Sequence, residues 1–145
     1  MGKENKETSA ALTLKVAKES FYGTGKRKCA IAKVWLFKGT GKIVVNKTDA
    51  KDYFNLESMV KNIKKPLDKL NITNKYDCFI RTLGGGKSGQ QDAIILGISR
   101  ALVEMNSEFR PSLKEEGFLS RDSRIKERKK YGRKRARKGY QFRKR

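Results

Sequence analysis

Residues that could carry catalysis are scarce in this chain of 145 residues. Histidine, the commonest general base and metal ligand, is absent. The two cysteines, Cys29 and Cys78, are too far apart for a CxxC redox pair or a zinc motif, and each lies in a strand-like pattern that predicts a buried, reduced thiol. The paired acids Asp49 and Asp52 lack a partner base, so helix capping explains them better than acid–base catalysis. We therefore predict no enzyme activity, no metal and no cofactor.

A glycine-rich loop, Gly84–Gln90, is the sharpest motif and reads GGGKSGQ. A predicted strand precedes it and a predicted helix follows it. Consecutive glycines let a backbone approach another chain closely, and a helix N-terminus beside Lys87 favours a phosphate group. The alternative is that the glycines only form a tight turn and let the helix pack on the sheet.

Two nucleotide-binding patterns overlap this loop, and both fail on their context. Gly84, Gly86 and Gly89 match the dinucleotide fingerprint, but no strand with a ribose-binding acid follows the predicted helix. The run Gly86–Ser88 is similar to the end of a P-loop, yet Arg81 stands where the first glycine of that motif is required. A nucleotide enzyme is therefore disfavoured.

A second basic element, Gly23–Lys28, reads GTGKRK. Its glycines permit close approach of a partner, and three cations follow in a row, as in many nucleic-acid footprints. The alternative is a solvated strand edge that charge protects against aggregation.

The C-terminal segment, residues 121–145, carries fourteen Lys and Arg against two acids, and so +12 of the chain's +21 net charge. It holds too few large apolar side chains to offset the entropy of ordering, so it must stay disordered or lie against a polyanion. Cations contact phosphates, and the interleaved Tyr131, Tyr140 and Phe142 can stack on unpaired bases, which favours RNA. The alternatives are a nonspecific or localisation tail and a general architectural binder of DNA or chromatin.

Alternating apolar residues predict the strands of one sheet. A first short strand contains Gly23 and Gly25. Strand Lys28–Phe37 turns alternate side chains inward, and the loop Lys38–Gly41 makes it a hairpin with strand Lys42–Val45. A later strand spans Lys75–Leu83.

Helical spacing predicts the elements that cover this sheet. Thr48 or Asp49 caps a short helix, and a second helix carries an apolar stripe from Leu56 to Leu70 that Pro66 should break or kink. A last short helix, Arg110–Glu116, ends at a glycine. Strands followed by helices on one face predict an α+β sandwich.

The longest predicted helix spans Ser88–Asn106. Ser88 and Gln91 form an S-x-x-Q capping box, and Arg100 pairs with Glu104 at i,i+4. Its buried stripe comprises Ile95, Ile98, Leu102 and Met105.

The chain divides into three predicted segments: a flexible polar arm at 1–19 with a short helix near Ala10–Ala17, a globular domain at 20–117, and an extended basic tail at 118–145. No apolar run approaches the ~20 residues that span a bilayer, and the N-terminus lacks the apolar region of a secretory signal. We expect no membrane and no small-molecule substrate.

Four blocks of sequence carry a resemblance to a known family. They are FYGTGKRK at 21–28, GGGKSGQ at 84–90 with AI and GISRAL following it, GFLSRD at 117–122, and ERKK running from Glu127 to the end. In this order they resemble the universal small-subunit ribosomal protein nine family in its bacterial or organellar form, over about residues 20–145.

The resemblance implies a two-layer α/β sandwich with a left-handed βαβ crossover, against the usual right-handed rule. It implies a structural role in the small-subunit head, with neighbouring head proteins and 16S-type rRNA as partners, in a bacterial cytoplasm or an organelle. The tail would thread between rRNA helices toward the peptidyl-site tRNA, and its tip would contact the anticodon stem-loop.

These implications divide the candidate residues between two ligands. The residues expected to bind rRNA are Tyr22, Gly23, Thr24, Lys26, Arg27, Lys28, Gly84, Gly85, Gly86, Lys87, Ser88, Gln90, Arg121, Arg124, Arg128, Lys129, Lys130, Arg133, Lys134, Arg135, Arg137 and Lys138. Those expected to bind tRNA are Gln141, Phe142, Arg143, Lys144 and Arg145.

The sequence departs from the family pattern at a few positions. Gln91 and Asp92 replace small residues, and Asp92 should suit the helix dipole while repelling a nearby phosphate. Tyr140 and Arg143 replace a usual Pro and Ser, which should loosen the tail path and add charge.

Overall fold

The computed structural model describes residues 20–142, so the predicted arm, its helix near Ala10–Ala17, and Arg143, Lys144 and Arg145 lie outside the described residues. Strands, α-helices and one short 3-10 helix follow one another in the described part. They are β1 (Phe21–Arg27), β2 (Ala30–Lys38), β3 (Ile43–Val45), β4 (Thr48–Asp49), α1 (Ala50–Phe54), α2 (Glu57–Lys69), β5 (Tyr76–Leu83), α3 (Lys87–Met105), the 3-10 turn Ser107–Phe109 and α4 (Arg110–Glu115).

The five strands form one sheet in the order β1-β2-β5-β3-β4. All neighbouring pairs are antiparallel except β3 and β5, which are parallel and joined through β4, α1 and α2. The α+β prediction is confirmed, while the left hand of the β3-to-β5 crossover stays a prediction. The predicted hairpin between β2 and β3 is wrong, because β5 pairs with β2 and separates it from β3.

The buried face of β2 is the one that its alternation predicts, with Ala30, Ala32, Val34 and Leu36 fully buried. Phe37 departs from this alternation, because it follows the buried Leu36 and is itself buried. Fully buried side chains at alternate positions of a central strand give the sheet a single inner face.

Helix α3 packs directly on β1 through two glycines. A Cβ at Gly25 would lie 1.8 Å from the carbonyl oxygen of Ala93, and one at Gly23 would lie 2.1 Å from that of Gly97. Real side chains cannot approach backbone so closely, so these glycines serve the contact between strand and helix. Their predicted use was the approach of another molecule.

The start of α3 differs from the prediction. Gly86 is the N-cap residue and no side chain caps the helix, so the Ser88–Gln91 capping box is wrong. The helix begins at Lys87, which places Ser88 inside the first turn.

The buried face of α3 is broader than the predicted stripe. Ile98 and Leu102 are buried as expected, but Ile94 is fully buried where Ile95 was expected. Arg100 donates from Nη1 to the carbonyl oxygen of Thr24 at 2.7 Å and forms no ion pair with Glu104, so the predicted i,i+4 pair is wrong.

Helix α2 continues through Pro66 to Lys69, so the predicted break does not occur. The ring of Pro66 is buried, and its packing offsets the lost backbone hydrogen bond. Leu56 precedes the helix and is 54% exposed, so it does not belong to the buried stripe. The predicted cap at Asp49 is confirmed, because its side chain accepts from the backbone N–H of Lys51.

After Gly117, whose φ of +75° ends the last helical turn as predicted, the described chain has no further helix or strand. The tail makes turns at 131–137, where the N–H of Lys134 donates to the carbonyl oxygen of Lys138 at 2.8 Å. The described part of the tail is therefore irregular apart from this one hydrogen-bonded turn. Among the described helices, none has the length and apolar character to cross a membrane.

Candidate nucleic-acid interface

The β1–β2 turn and the glycine loop, far apart in sequence, pack against each other. A Cβ at Gly84 would lie 2.5 Å from the carbonyl oxygen of Cys29, and one at Gly85 would lie 2.9 Å from Cβ of Ala30. Both glycines also have positive φ, of 69° and 63°, which L side chains rarely adopt. The fold therefore requires these two glycines itself, and it brings the two predicted basic elements to one end of the sheet, where β1 and β5 both terminate.

The thiols differ in environment, which corrects one prediction. Cys78 is buried, and this burial raises its pKa to about 12. Cys29 is exposed, because β1 ends at Arg27 and β2 starts at Ala30, leaving Cys29 in the connecting turn. The sequence pattern suggested a strand at this position because apolar residues follow it directly.

Lys87, at the first position of α3, is exposed and held over an aromatic ring. Its Nζ lies 3.2 Å from the ring centroid of Tyr53 and donates to the carbonyl oxygen of Tyr53 at 2.9 Å. The quadrupole of an aromatic ring attracts a cation that lies over its face. The charge of Lys87 is thus fixed beside the exposed backbone of Gly86.

Gln90 was expected to contact rRNA and is instead buried. Its Nε2 donates to the carbonyl oxygen of Gly84 at 3.1 Å, and its Oε1 accepts from the hydroxyl of Tyr53 at 2.8 Å. These hydrogen bonds join the glycine loop to α1, so the buried side chain of Gln90 holds the loop in place.

Tyr53 is a site residue that sequence reasoning missed. Burial raises its pKa, but hydrogen bonding with Thr82, the charge of Lys87 and hydrogen bonding with Asn46 together leave the pKa below its usual value. Asn46 also donates from Nδ2 to Oγ1 of Thr82 at 3.0 Å. No local sequence pattern predicts this hydrogen-bond network, because its members come from the β3–β4 turn, α1, β5 and α3.

Arg27, another predicted rRNA ligand, is occupied by protein acceptors. Its Nη2 lies 2.8 Å from Oδ2 of Asp122, and its Nε lies 3.5 Å from Oδ2 of Asp92. Its Nη1 donates to the carbonyl oxygens of Asp122, at 3.3 Å, and Arg124, at 2.8 Å. The Arg27 side chain is only 13% exposed. Arg27 therefore holds the first residues of the tail against the domain, and Asp92 has a cation partner that offsets its repulsion of phosphate.

Both acidic side chains of the tail accept hydrogen bonds from arginine side chains of the tail. Hydrogen bonds from the side chain and backbone of Arg124 hold the pKa of Asp122 well below its usual range. A hydrogen bond from Arg137 likewise lowers the pKa of Glu127. The tail's remaining described cations are exposed and form no ion pair within residues 20–142; they are Arg121, Lys126, Arg128, Lys129, Lys130, Arg133, Lys134, Arg135 and Lys138.

The other predicted ligands fall into distinct environments. Gly23 lies buried under α3 and Thr24 is half-buried. The exposed ones in the domain are Tyr22, Lys26, Lys28, Gly84, Gly85, Gly86, Lys87 and Ser88. Gln141 and Phe142, expected at the tRNA, are exposed at the end of the described chain. In the described residues no His, Cys, Asp and Glu side chains cluster as a metal site.

An α+β domain that anchors a strongly cationic tail has the physical character of a polyanion-binding protein. Comparison with known proteins makes this specific. The family model described as ribosomal protein S9/S16 matches residues 25–145. A protein named small ribosomal subunit protein uS9, from Amoebophilus asiaticus (strain 5a2), is 50% identical over 127 residues, covering 88% of this chain and 99% of that protein.

The chain therefore belongs to the ribosomal protein S9/S16 family. The resemblance deduced from the four sequence blocks is confirmed. The prediction that the protein is not an enzyme is also confirmed, because the family is structural and non-enzymatic.

Proposed function

We propose that the protein is a structural constituent of the small ribosomal subunit head, in a ribosome of bacterial or organellar type. It binds small-subunit rRNA, and the tip of its tail, Gln141–Arg145, reaches the anticodon stem-loop of the peptidyl-site tRNA. The observation that carries the proposal is the +12 segment at 121–145, fastened by Arg27 to a domain that is itself basic.

Contact with rRNA is supported by the distribution of free charge. The tail exposes nine cations without an ion pair in the described residues, and the domain adds Lys26, Lys28 and Lys87 at one end of the sheet. Such a surface binds phosphates and releases their counterions. Residues 121–138 would lie along rRNA, with the neighbouring head proteins as further partners.

Contact with tRNA rests on the family resemblance together with the chemistry of the tip. The last five residues contain three cations and an aromatic ring, which suit phosphates and stacking on a nucleotide. Because Arg27 fixes where the tail leaves the domain, the tip can reach only a limited region around that point.

A general binder of DNA or chromatin is the competing function, since cations alone do not distinguish nucleic acids. Titration of the full chain with small-subunit rRNA and with DNA of equal length, over a series of salt concentrations, separates the two. We expect tighter binding to the rRNA at moderate salt and a log–log salt slope of about −0.7 to −0.9 per phosphate neutralised. Equal affinity for both polymers would refute the ribosomal function.

A further inference from the structure

An aromatic row crosses the outer face of the sheet. Gly23 and Gly25 face α3, so the alternate residue Tyr22 of β1 points to the opposite face. Strand register places Tyr22 beside Trp35, and Trp35 beside Phe79. The ring centroids are 5.4 Å and 5.8 Å apart, and the planes are tilted by 48° and 46°.

This row is open to solvent in part and held in place. Tyr22 is 44% exposed, and Trp35 and Phe79 are half-buried. The hydroxyl of Tyr22 accepts a hydrogen bond from Oγ1 of Thr24 at 2.8 Å, which restrains the ring. A restrained ring loses little entropy when a flat partner packs on it.

Cations that form no ion pair in the described residues lie beside this aromatic row. The register sets Lys33 beside Arg81 in the next row of side chains, and Lys26 beside Ile31 in the row beyond. All three cations are exposed and none forms an ion pair within the described part of the chain. The face therefore combines apolar rings with positive charge.

The acids nearest to this face are already satisfied. Asp77, in β5, accepts at Oδ1 from the backbone N–H groups of Thr40, at 2.7 Å, and Lys42, at 2.8 Å. Asp49, at the far edge, caps α1 through the N–H of Lys51. Both carboxylates therefore already accept from backbone donors, and neither forms an ion pair with Lys33 or Arg81.

We propose that this outer face, defined by Tyr22, Trp35 and Phe79 with Lys26, Lys33 and Arg81, binds unpaired bases of rRNA. The rings stack on bases and the three cations contact the flanking phosphates, as sheet surfaces bearing aromatic rings do on single strands. The inference rests on the proposed rRNA function and adds a second binding surface, distinct from the tail. Exposed aromatic rings alone would equally suit a protein neighbour, but three free cations with no free acid favour RNA.

Trp35 is the chain's single tryptophan and lies at the centre of the row, so its emission reports on this face alone. The full chain is titrated with an end-labelled, unpaired RNA of about ten nucleotides, a length typical of single-strand sites. Anisotropy of the label follows all binding, by tail and face together. We expect saturable quenching of Trp35 emission over the course of the titration.

Two matched pairs of variants identify the contacts. Tyr22→Leu removes the ring, and we expect the quenching curve to shift to about tenfold higher RNA concentration, within the range measured for loss of one stacking contact. Tyr22→Phe keeps the ring and loses only the hydrogen bond from Thr24, so the curve should shift much less than for Tyr22→Leu. Lys33→Ala should also shift the curve, whereas Lys61→Ala, which removes one exposed charge from α2, should not.

The possible outcomes separate this inference from the proposed function. Unchanged Trp35 emission while the labelled RNA binds would overturn the inference and leave rRNA binding by the tail intact. Equal curves for Tyr22→Leu and Tyr22→Phe would also overturn it. Absence of any RNA binding would remove both proposals.

Discussion

Arg27 and Asp122 form an ion pair of 2.8 Å across 95 residues of sequence. The pair joins the last residue of β1 to the start of the tail, and two carbonyl oxygens of the tail accept from the same guanidinium. The planar fork of arginine presents five N–H donors in a fixed geometry, so it can hold several acceptors in defined positions. The tail thus leaves the domain at a defined point.

We predict that Arg27→Ala frees the start of the tail and destabilises the domain by about 1.5–3 kcal/mol, the range for hydrogen bonds to charged groups. Urea unfolding measures the loss in stability, and amide line widths of residues 121–126 measure the gain in mobility.

The matched control for Arg27→Ala is Lys26→Ala, which removes the same charge from an exposed neighbour with no ion pair in the described residues. Affinity for rRNA should fall more for Arg27→Ala than for Lys26→Ala. Equal affinities would mean that Arg27 acts as a charge alone and does not direct the tail.

We predict that Gly25→Ala is among the most damaging single methyl additions. The new Cβ would meet the carbonyl oxygen of Ala93 at 1.8 Å and the nitrogen of Gly97 at 2.7 Å, so β1 and α3 must separate. Overpacking typically costs about 1–3 kcal/mol, and contact with rigid helix backbone at two residues of α3 places this variant at about 3 kcal/mol or above. Denaturant midpoints give the comparison.

Gly86→Ala supplies the control, because nothing lies within 4 Å of a Cβ at that position and its φ is −105°. Because Gly86 is the N-cap of α3, where Ala is less favourable than Gly, its stability should fall by at most about 1 kcal/mol. If Gly25→Ala were as stable as Gly86→Ala, the close contact between β1 and α3 would be wrong.

Asp122 makes the anchor insensitive to pH in the physiological range. Its pKa is below the usual value, so its contribution is fully present above the unfolded value of about 3.9 and is lost as pH falls through the lower, folded value. The N–H of Arg124 donates to Oδ1 of Asp122 at 2.9 Å, and its amide resonance reports on the carboxylate. We expect this resonance to be constant from pH 8 to 5 and to move only below about 4. Movement near pH 6 would contradict the ionised pair.

The tip of the tail should affect tRNA more than rRNA. Replacing Lys144 and Arg145 by Ala should weaken retention of peptidyl-site tRNA on reconstituted small subunits by about tenfold, the effect of losing about 1.4 kcal/mol of phosphate contacts. Assembly of the subunit should stay nearly unchanged. Filter binding of labelled tRNA to the isolated subunits provides the measurement.

The control for the tip replaces Lys134 and Arg135, which also removes two cations. This change should reduce affinity for rRNA and lower its salt slope by about one for each lost phosphate contact. It should have little effect on tRNA once subunits are assembled. If both double variants weakened tRNA to the same degree, the division of the tail into two roles would be wrong.

Local periodicity predicted most of the helices and strands. It did not predict which strands pair, because pairing depends on residues that are distant in sequence. The alternation in β2 identified its buried face, and Gly117 identified the end of α4. The predicted hairpin between β2 and β3 was wrong because these strands are neighbours in sequence but not in the sheet. Strand β5 lies between them and pairs with both. The length and position of α3 were predicted, but its buried face is broader than the predicted stripe, because small residues such as Ala93 and Gly97 also face the sheet.

The candidate interface was predicted in part. Charge counts located the cationic tail, and the glycines located the loop. The anchoring role of Arg27 could not be predicted, because an ion pair with Asp122 leaves no periodic signal in sequence. The roles of Gln90 and Tyr53 in holding the glycine loop could not be predicted for the same reason, since their hydrogen bonds join residues that only the fold brings together.

The most direct test of the ribosomal function is sedimentation of the tagged full chain with ribosomal particles from its own cell, in high salt. A protein that is part of the small subunit and buries many phosphate contacts should stay with the small-subunit fraction when loosely bound cationic proteins have been released. We predict recovery in that fraction in near one-to-one ratio with the small-subunit rRNA. Release into the supernatant, or equal distribution over both subunits, would contradict the central claim.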